Sequence, residues 1–151
     1  MNAPLLIGLV AGARSMTPLA TVAWLARSGD LPNKGRLARF LSQDWVVAGA
    51  TALAVGELLG DKMRSAPDRI VVPGLAARIV SGGIAGAAMA RERDERSAGL
   101  LGIVSAIGAS YVTFAARTRS MRRYGQRPTG VVEDALIVGL AAWIASRARR
   151  S

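Results

Sequence analysis

One segment near the start of the chain carries residue types suited to binding an anion. It has the sequence GARSMTP, residues 12–18, and lies inside a long apolar stretch. Thr17 followed by Pro18 is typical of a helix N-terminus, so we expect a broken helix with its break at Arg14–Thr17. A helix N-terminus offers free N–H groups and a partial positive charge, to which Arg14 adds a full charge. With the hydroxyls of Ser15 and Thr17 beside it, the break predicts a binding site for a small anionic group.

The depth of Arg14 makes this prediction sharper. Arg14 lies about nine residues into the apolar stretch, which is roughly 14 Å along a helix and close to the centre of a bilayer. A guanidinium at that depth costs at least about 2.5–3.5 kcal/mol unless a carboxylate, water or a ligand compensates its charge. Two interpretations therefore stay open: Arg14 binds a solute, or it pairs with a carboxylate from another helix and locks the bundle.

A second set of charged residues stands at the ends of other apolar stretches. These residues are Glu57, Asp61, Arg78, Glu133 and Asp134. In a five-span arrangement they all lie toward one side of the membrane, which predicts a shared vestibule with Arg14 deeper inside. The acidic groups would then line the approach, pair with Arg78 or carry a coupling ion. For Glu133 and Asp134 there is an alternative, since acids in the first turn stabilise a helix N-terminus.

The elements that must position these residues are five apolar blocks. They cover about residues 4–26, 45–60, 70–90, 97–116 and 131–146. A bilayer core of about 30 Å needs about 20 helical residues, and the block 97–116 meets that length without one charged residue. A soluble helix of that length would show a polar stripe every three to four residues, which this block lacks. We therefore predict an all-α, polytopic membrane helix bundle, with residues 1–151 forming one transmembrane domain of about five spans (four to six).

Charge and composition narrow the function classes. The chain has 20 Lys and Arg residues against 10 Asp and Glu, a net charge of +10, and no Cys or His. The basic residues lie mostly between the blocks, where lipid headgroups would meet them, so we expect membrane lipids rather than nucleic acid as partners. The missing Cys and His exclude disulfides, histidine-based triads and the usual zinc sites. No nucleophile–base pair is visible, so we expect neither an enzyme nor a cofactor.

Orientation and symmetry are less clearly encoded. The links between blocks place 8 Lys and Arg residues on one side and 10 on the other, a bias too small to set topology. A fixed orientation and a dual-topology antiparallel dimer both remain open, and we expect a homo-oligomer with a dimer favoured. The first and fourth blocks share a Leu pair, a Gly-Ala step and a Thr, which predicts an inverted repeat whose two copies run in opposite directions. Three GxxxG pairs also favour close helix contacts: Gly8/Gly12, Gly56/Gly60 and Gly82/Gly86.

The segments GARSMTPLA, GELLGDK, APDR and PGLAAR resemble a family of bacterial integral membrane proteins described only as a domain of unknown function. The resemblance covers residues 5–90 and, more loosely, the tail with Glu133 and Asp134. It implies several membrane helices in the bacterial inner membrane and no established activity. Taken with the residues above, the leading hypothesis is a transporter or channel for a small anionic solute held by Arg14. The alternative is a non-transporting membrane scaffold or lipid-binding module whose buried charges are structural ion pairs.

Overall fold

A computed structural model describes residues 2–60, 72–124 and 126–149 of the chain, and within these ranges every regular element is helical. The prediction of an all-α protein is therefore confirmed. A short 3-10 turn, Glu92–Asp94, precedes the sixth α-helix. The α-helices are α1 (Ala3–Ala13), α2 (Met16–Arg27), α3 (Arg36–Leu41), α4 (Asp44–Gly60), α5 (Val72–Ala88), α6 (Glu95–Tyr124) and α7 (Gln126–Ala148).

The first apolar block forms a helical hairpin instead of one broken crossing. Two contacts show that α2 runs antiparallel to α4. The indole Nε1 of Trp24 donates to Thr51 Oγ1 over 3.0 Å, and the later residue Arg27 forms an ion pair with the earlier residue Asp44, at the start of α4. Ala3, at the start of α1, lines the same cavity as the segment that follows α2. Both ends of the block therefore lie at one end of the molecule, and its tip is the break at Arg14. The expectation that residues 4–26 cross the bilayer once was wrong in this respect.

We call the end of the molecule that holds both ends of the hairpin the base. It consists of the segment 28–35, the starts of α1, α4 and α6, and the ends of α5 and α7. Gly29 closes α2 with a φ of +76°, a left-handed conformation that glycine adopts without strain. The fully buried side chain of Asn33 ties the base together, since its Nδ2 donates to Glu95 Oε1 over 2.9 Å and its Oδ1 accepts from the N–H of Gly35 over 2.8 Å.

Two glycine pairs bring α1 and α5 into close contact with α6. A Cβ at Gly8 would lie 2.6 Å from the carbonyl oxygen of Gly102, and one at Gly12 would lie 2.5 Å from that of Ala106. On the other side of α6, a Cβ at Gly82 would lie 2.9 Å from the same oxygen of Gly102. These positions accept no side chain without movement of backbone, as small-residue packing requires. The third predicted pair differs, because a Cβ at Gly56 would meet no described atom within 4 Å.

The glycine contacts also give the directions of the helices. Gly8 faces Gly102 and Gly12 faces Ala106, so α1 and α6 run in the same direction. The predicted inverted repeat between the first and fourth blocks is therefore wrong in its geometry. The reason is the hairpin, which adds a reversal of the chain that a single crossing does not have.

The described residues contain one helical segment that is long and apolar enough to cross a membrane, Glu92–Ala116. α4 and α5 have 17 residues each and fall short of the same length. Large apolar side chains are nevertheless exposed on α4, α5, α6 and α7. Conversely, the buried residues include two arginines, Arg14 and Arg78.

Candidate functional site at the hairpin tip

The guanidinium of Arg14 is the centre of the candidate site. α1 ends at Ala13, and Arg14 takes an extended backbone conformation with φ −141° and ψ 118°, which breaks the helix. Its Nη2 forms an ion pair with Asp134 Oδ1 in α7, and its Nη1 donates to the carbonyl oxygen of Glu57 over 3.3 Å. Arg14 is 1% exposed as a residue. The site thus joins the hairpin to α4 and α7.

The carboxylate of Glu57 caps the N-terminus of α2. Its Oε1 accepts from the backbone N–H and the Oγ hydroxyl of Ser15, both over 2.9 Å. Its Oε2 accepts from the backbone N–H of Met16, also over 2.9 Å. A carboxylate here satisfies free helix N–H groups and faces the positive end of the helix dipole. The protein's own side chain therefore occupies the position in which the sequence predicted a bound anion.

The start of α2 differs in detail from the prediction. Thr17 was expected to be the N-cap and Pro18 the first helical residue, whereas the N-cap is Ser15 and the helix begins at Met16. Proline is tolerated throughout the first turn, because the N–H groups there have no partner within the helix, so the Thr-Pro step alone does not give the register. The role of Met16, which contributes a backbone donor, carries no side-chain signal in the sequence.

Thr17 is a predicted site residue with a buried hydroxyl. It is 8% exposed, and its Oγ1 has no hydrogen-bond partner among the residues the structure describes. It lies at the tip end of a groove of about 290 Å³ between α2, α4 and α7, which is lined mainly by alanine, valine and leucine side chains. The neighbouring Thr21 hydroxyl instead donates to the carbonyl oxygen of Thr17 over 2.9 Å.

The structure gives less detail about three other predicted site residues. Arg78 is buried in α5, one turn before Gly82, and so lies on the face of α5 that packs against α6, toward the hairpin tip. Asp61 lies outside the described residues, and so does the side chain of Glu133. The structure thus brings together Arg14, Ser15, Glu57 and Asp134, which we call the tip cluster.

The tip cluster combines one guanidinium, two carboxylates and the positive N-terminus of α2. The carboxylates come from helices outside the hairpin, at sequence separations of 42 residues for Glu57 from Ser15 and 120 residues for Asp134 from Arg14. Such an arrangement can hold the hairpin in place. It can also bind an external anion at the guanidinium when one of the two carboxylates moves away from it. In the described part of the chain, no group of three or more Asp, Glu, His or Cys side chains is arranged to hold a metal ion.

Residues 3–146 match the model of a family described as Domain of unknown function (DUF4126), so the chain belongs to that family. No curated protein and no solved structure matches the chain.

Proposed function

For this member of the DUF4126 family, we propose a multi-pass membrane protein that moves a small anionic solute, with Arg14 as the anion-binding group. The observation that carries the proposal is the asymmetry of the ion pair at the hairpin tip. The side chain of Arg14 is 2% exposed, whereas that of Asp134 is 16% exposed. The cation is therefore held inside the protein, and its counter-ion is the partner that solvent or a solute reaches.

The placement in a membrane is supported by the outer surface of the bundle. Leu100, Val104 and Val112 on α6 are 64%, 67% and 68% exposed, and their spacing puts them on one face. Similar exposed apolar side chains lie on α4 and α7, including Leu53 and Leu136. Exposed apolar side chains on so many helices are unfavourable in water and fit contact with lipid.

The base of the molecule has the features of a membrane interface. All three tryptophans lie toward it, at the end of α2, the start of α4 and the end of α7, and all three are exposed. Tryptophan is enriched at the level of the headgroups, and charged residues of the base would lie beyond it. In this placement α4, α5, α6 and α7 cross the bilayer in alternating directions. The hairpin enters from the base and ends after the 11 residues of α1, about 16 Å deep, close to the centre of the hydrocarbon core.

A hairpin that ends at mid-membrane suggests how the site would work. Irregular backbone is tolerated at that depth where it is buried in protein or lines a cavity. Broken helices whose N-termini point at an anion are a recurrent arrangement in secondary transporters. In the mechanism we propose, Glu57 keeps the start of α2 in place, and the solute replaces Asp134 at the guanidinium of Arg14. The Arg14–Asp134 pair then forms whenever no solute is bound.

Anion flux from proteoliposomes tests this proposal. Vesicles are loaded with the potassium salt of chloride, nitrate, acetate or phosphate, and efflux is started with valinomycin. Arg14→Gln is expected to lower the flux of the transported anion about tenfold or more, because a charge-assisted hydrogen bond contributes about 1.5–3 kcal/mol. Asp134→Asn is expected to raise the apparent affinity for the anion, because an internal competitor is removed. The control is Arg93→Gln, which changes the charge equally at an exposed position of the base.

Two results would contradict the transport proposal. One is an equal flux in the Arg14→Gln and Arg93→Gln proteins. The other is a folded Asp134→Asn protein whose apparent affinity is lower than that of the unmodified chain.

A second candidate is a non-transporting scaffold, which is favoured by the complete use of the Glu57 carboxylate as a cap for α2. In that case no anion moves in any variant. Breaking a buried ion pair by removing one partner costs about 3–5 kcal/mol, so Arg14→Gln and Asp134→Asn are each expected to destabilise the fold. The double variant would then be more stable than the sum of the two losses predicts, as a double-mutant cycle measures. Strictly additive losses would argue against a structural ion pair.

A further inference from the structure

The groove between α2, α4 and α7 is open on its outer side and has a mainly apolar lining. Its volume is about 290 Å³, and alanine, valine and leucine side chains make up most of the lining. It follows α2 from Leu25 near the base to Thr17 at the tip, a distance of about 12 Å along the helix axis. Val55 and Val138, one on each wall, are half-exposed and leave the outer side open. The groove therefore offers a place for an apolar body beside α2.

The tip end of the groove adjoins the tip cluster on all three helices. On α7, Asp134 lies one helical turn before Val138 and so on the same face. On α4, Leu58 directly follows Glu57, whose carbonyl oxygen accepts from the guanidinium of the site. On α2, Thr17 directly follows the two residues whose N–H groups the Glu57 carboxylate caps. Three independent helix registers thus bring the apolar lining to within one turn of residues of the tip cluster.

The hydroxyl of Thr17 is a buried donor at this end of the groove. Thr17 is more than nine-tenths buried, and its Oγ1 has no hydrogen-bond partner in the described part of the chain. Within a helix such a hydroxyl often donates to the carbonyl oxygen four residues earlier, as Thr21 does to Thr17. For Thr17 that position is Ala13, which lies before the break at Arg14. Because a buried donor without an acceptor is costly, an acceptor atom of a ligand is favoured here.

The group that a solute replaces at the guanidinium also indicates the chemistry of the solute. Asp134 presents a single carboxylate, and the face of α7 beyond it is apolar through Val138, Ala141 and Ala145. This face has the pattern of a carboxylate joined to an apolar body. An inorganic anion matches the guanidinium alone, whereas a solute with the same pattern as α7 matches both the guanidinium and the groove.

We propose that the solute bound at Arg14 is an organic monocarboxylate with an apolar body. Its carboxylate lies between the guanidinium of Arg14 and the hydroxyl of Thr17, and its body lies in the groove. The groove has room for about ten groups the size of a water molecule, at roughly 30 Å³ each. Its length of about 12 Å holds about ten bonds of an extended chain, since a residue of three bonds spans about 3.3–3.6 Å. The proposal names the substrate class of the transport function proposed above and rests on the exchange of Asp134 for a solute.

Binding of 1-alkanesulfonates from methanesulfonate to hexanesulfonate tests the substrate class. These anions carry one negative charge at neutral pH, so they stand in for the carboxylate and do not cross a bilayer as neutral acids. Affinity is measured by isothermal titration calorimetry of the full chain in detergent micelles, and the same titration into protein-free micelles is subtracted. Each added methylene is expected to strengthen binding by about fourfold, because it leaves water for the groove. Arg14→Gln is expected to abolish binding along the whole series.

Two pairs of matched variants locate the head and the body of the ligand. Thr17→Val is expected to weaken the binding of every probe by about tenfold, because a hydrogen bond to a charged group is lost, and to leave the gain per methylene unchanged. Thr21→Val is its control, since that hydroxyl lines the same groove but donates within α2. Ala20→Phe fills the groove near its tip end and is expected to remove the gain per methylene while methanesulfonate still binds. Ala52→Phe is its control, at an exposed position of α4 outside the groove.

The results separate failure of this proposal from failure of transport. An affinity that does not rise with chain length shows that the groove takes no part in binding. A gain per methylene that survives Ala20→Phe places the apolar body elsewhere, and equal effects of Thr17→Val and Thr21→Val remove the hydroxyl from the head site. Any of these results overturns the proposal, even where Arg14-dependent flux of inorganic anions upholds transport. If the series binds as expected but no anion crosses a bilayer, the ligand site stands and the transport proposal fails.

Discussion

The carboxylate of Glu57 offers the most direct test of how the hairpin tip is held. Glu57→Ala removes the acceptor of two backbone N–H groups, those of Ser15 and Met16, and of one hydroxyl. Each buried donor left without an acceptor costs about 1–3 kcal/mol. Loss of the negative charge at the start of α2 adds about 0.3–1 kcal/mol. Ser15 and Met16 are half-buried, so water can accept some of the hydrogen bonds that Glu57 no longer accepts. We therefore expect a loss of about 2–4 kcal/mol in the free energy of unfolding.

The measurement is unfolding in mixed micelles by titration with sodium dodecyl sulfate, followed by far-UV circular dichroism. Glu57→Gln keeps one acceptor oxygen and is expected to lose about half as much. Asp94→Ala is the control, because Asp94 is exposed and pairs with its neighbour Arg93, a contact that contributes about 1 kcal/mol at most. Amide hydrogen exchange should also become faster at Ser15 and Met16 in the Glu57→Ala protein. A Glu57→Ala protein that is as stable as Asp94→Ala, with both amides still protected from exchange, would show that Glu57 does not stabilise the start of α2.

Three further changes test other parts of the fold. Gly12→Ala forces a Cβ against the backbone of α6 and should lower the free energy of unfolding by about 1–3 kcal/mol. Gly108→Ala, at a position that faces open space, should raise it by about 0.5–1 kcal/mol in the same titration. Equal effects of the two changes would contradict the close packing of Gly12 on α6. Arg27→Gln breaks the exposed pair with Asp44 and should change the free energy of unfolding by less than about 1 kcal/mol, and less still in high salt; a larger loss would show that the pair is shielded from solvent. Thr17→Val removes a buried hydroxyl without a described partner and should raise stability by about 1 kcal/mol; a loss of that size would reveal a partner.

The limits of α4 and α5 were predictable from the apolar blocks, whereas α6 and α7 extend beyond the blocks 97–116 and 131–146, because a helix can continue through charged residues. The blocks 45–60 and 70–90 correspond to α4 and α5 within about two residues, because an apolar run ends where charged residues begin. The reversal of the chain at Arg14 was not predictable in the same way. The same local sequence is compatible with a broken span and with a hairpin. Which of the two forms depends on the distant helices that contact the break.

The members of the tip cluster could be found from charge, but their pairing could not. Arg14, Glu57 and Asp134 stand out as charges in or beside apolar blocks. Either carboxylate suits a guanidinium equally well, however, and the register of α4 and α7 decides that Asp134 pairs with Arg14 while Glu57 caps α2. The glycine pairs show the same limit, since Gly8/Gly12 and Gly82/Gly86 meet α6 and Gly56 does not.

The groups that stabilise the hairpin tip are synthesised long after the hairpin itself. Arg14 leaves the ribosome first, Glu57 follows with α4, and Asp134 follows only with α7. In a bilayer, the guanidinium has neither of these partners while the early part of the chain is being inserted, and hydrocarbon disfavours it there. In the membrane placement proposed above, we therefore expect the hairpin to enter the bundle as a late step, after α4 and α7 have supplied Glu57 and Asp134.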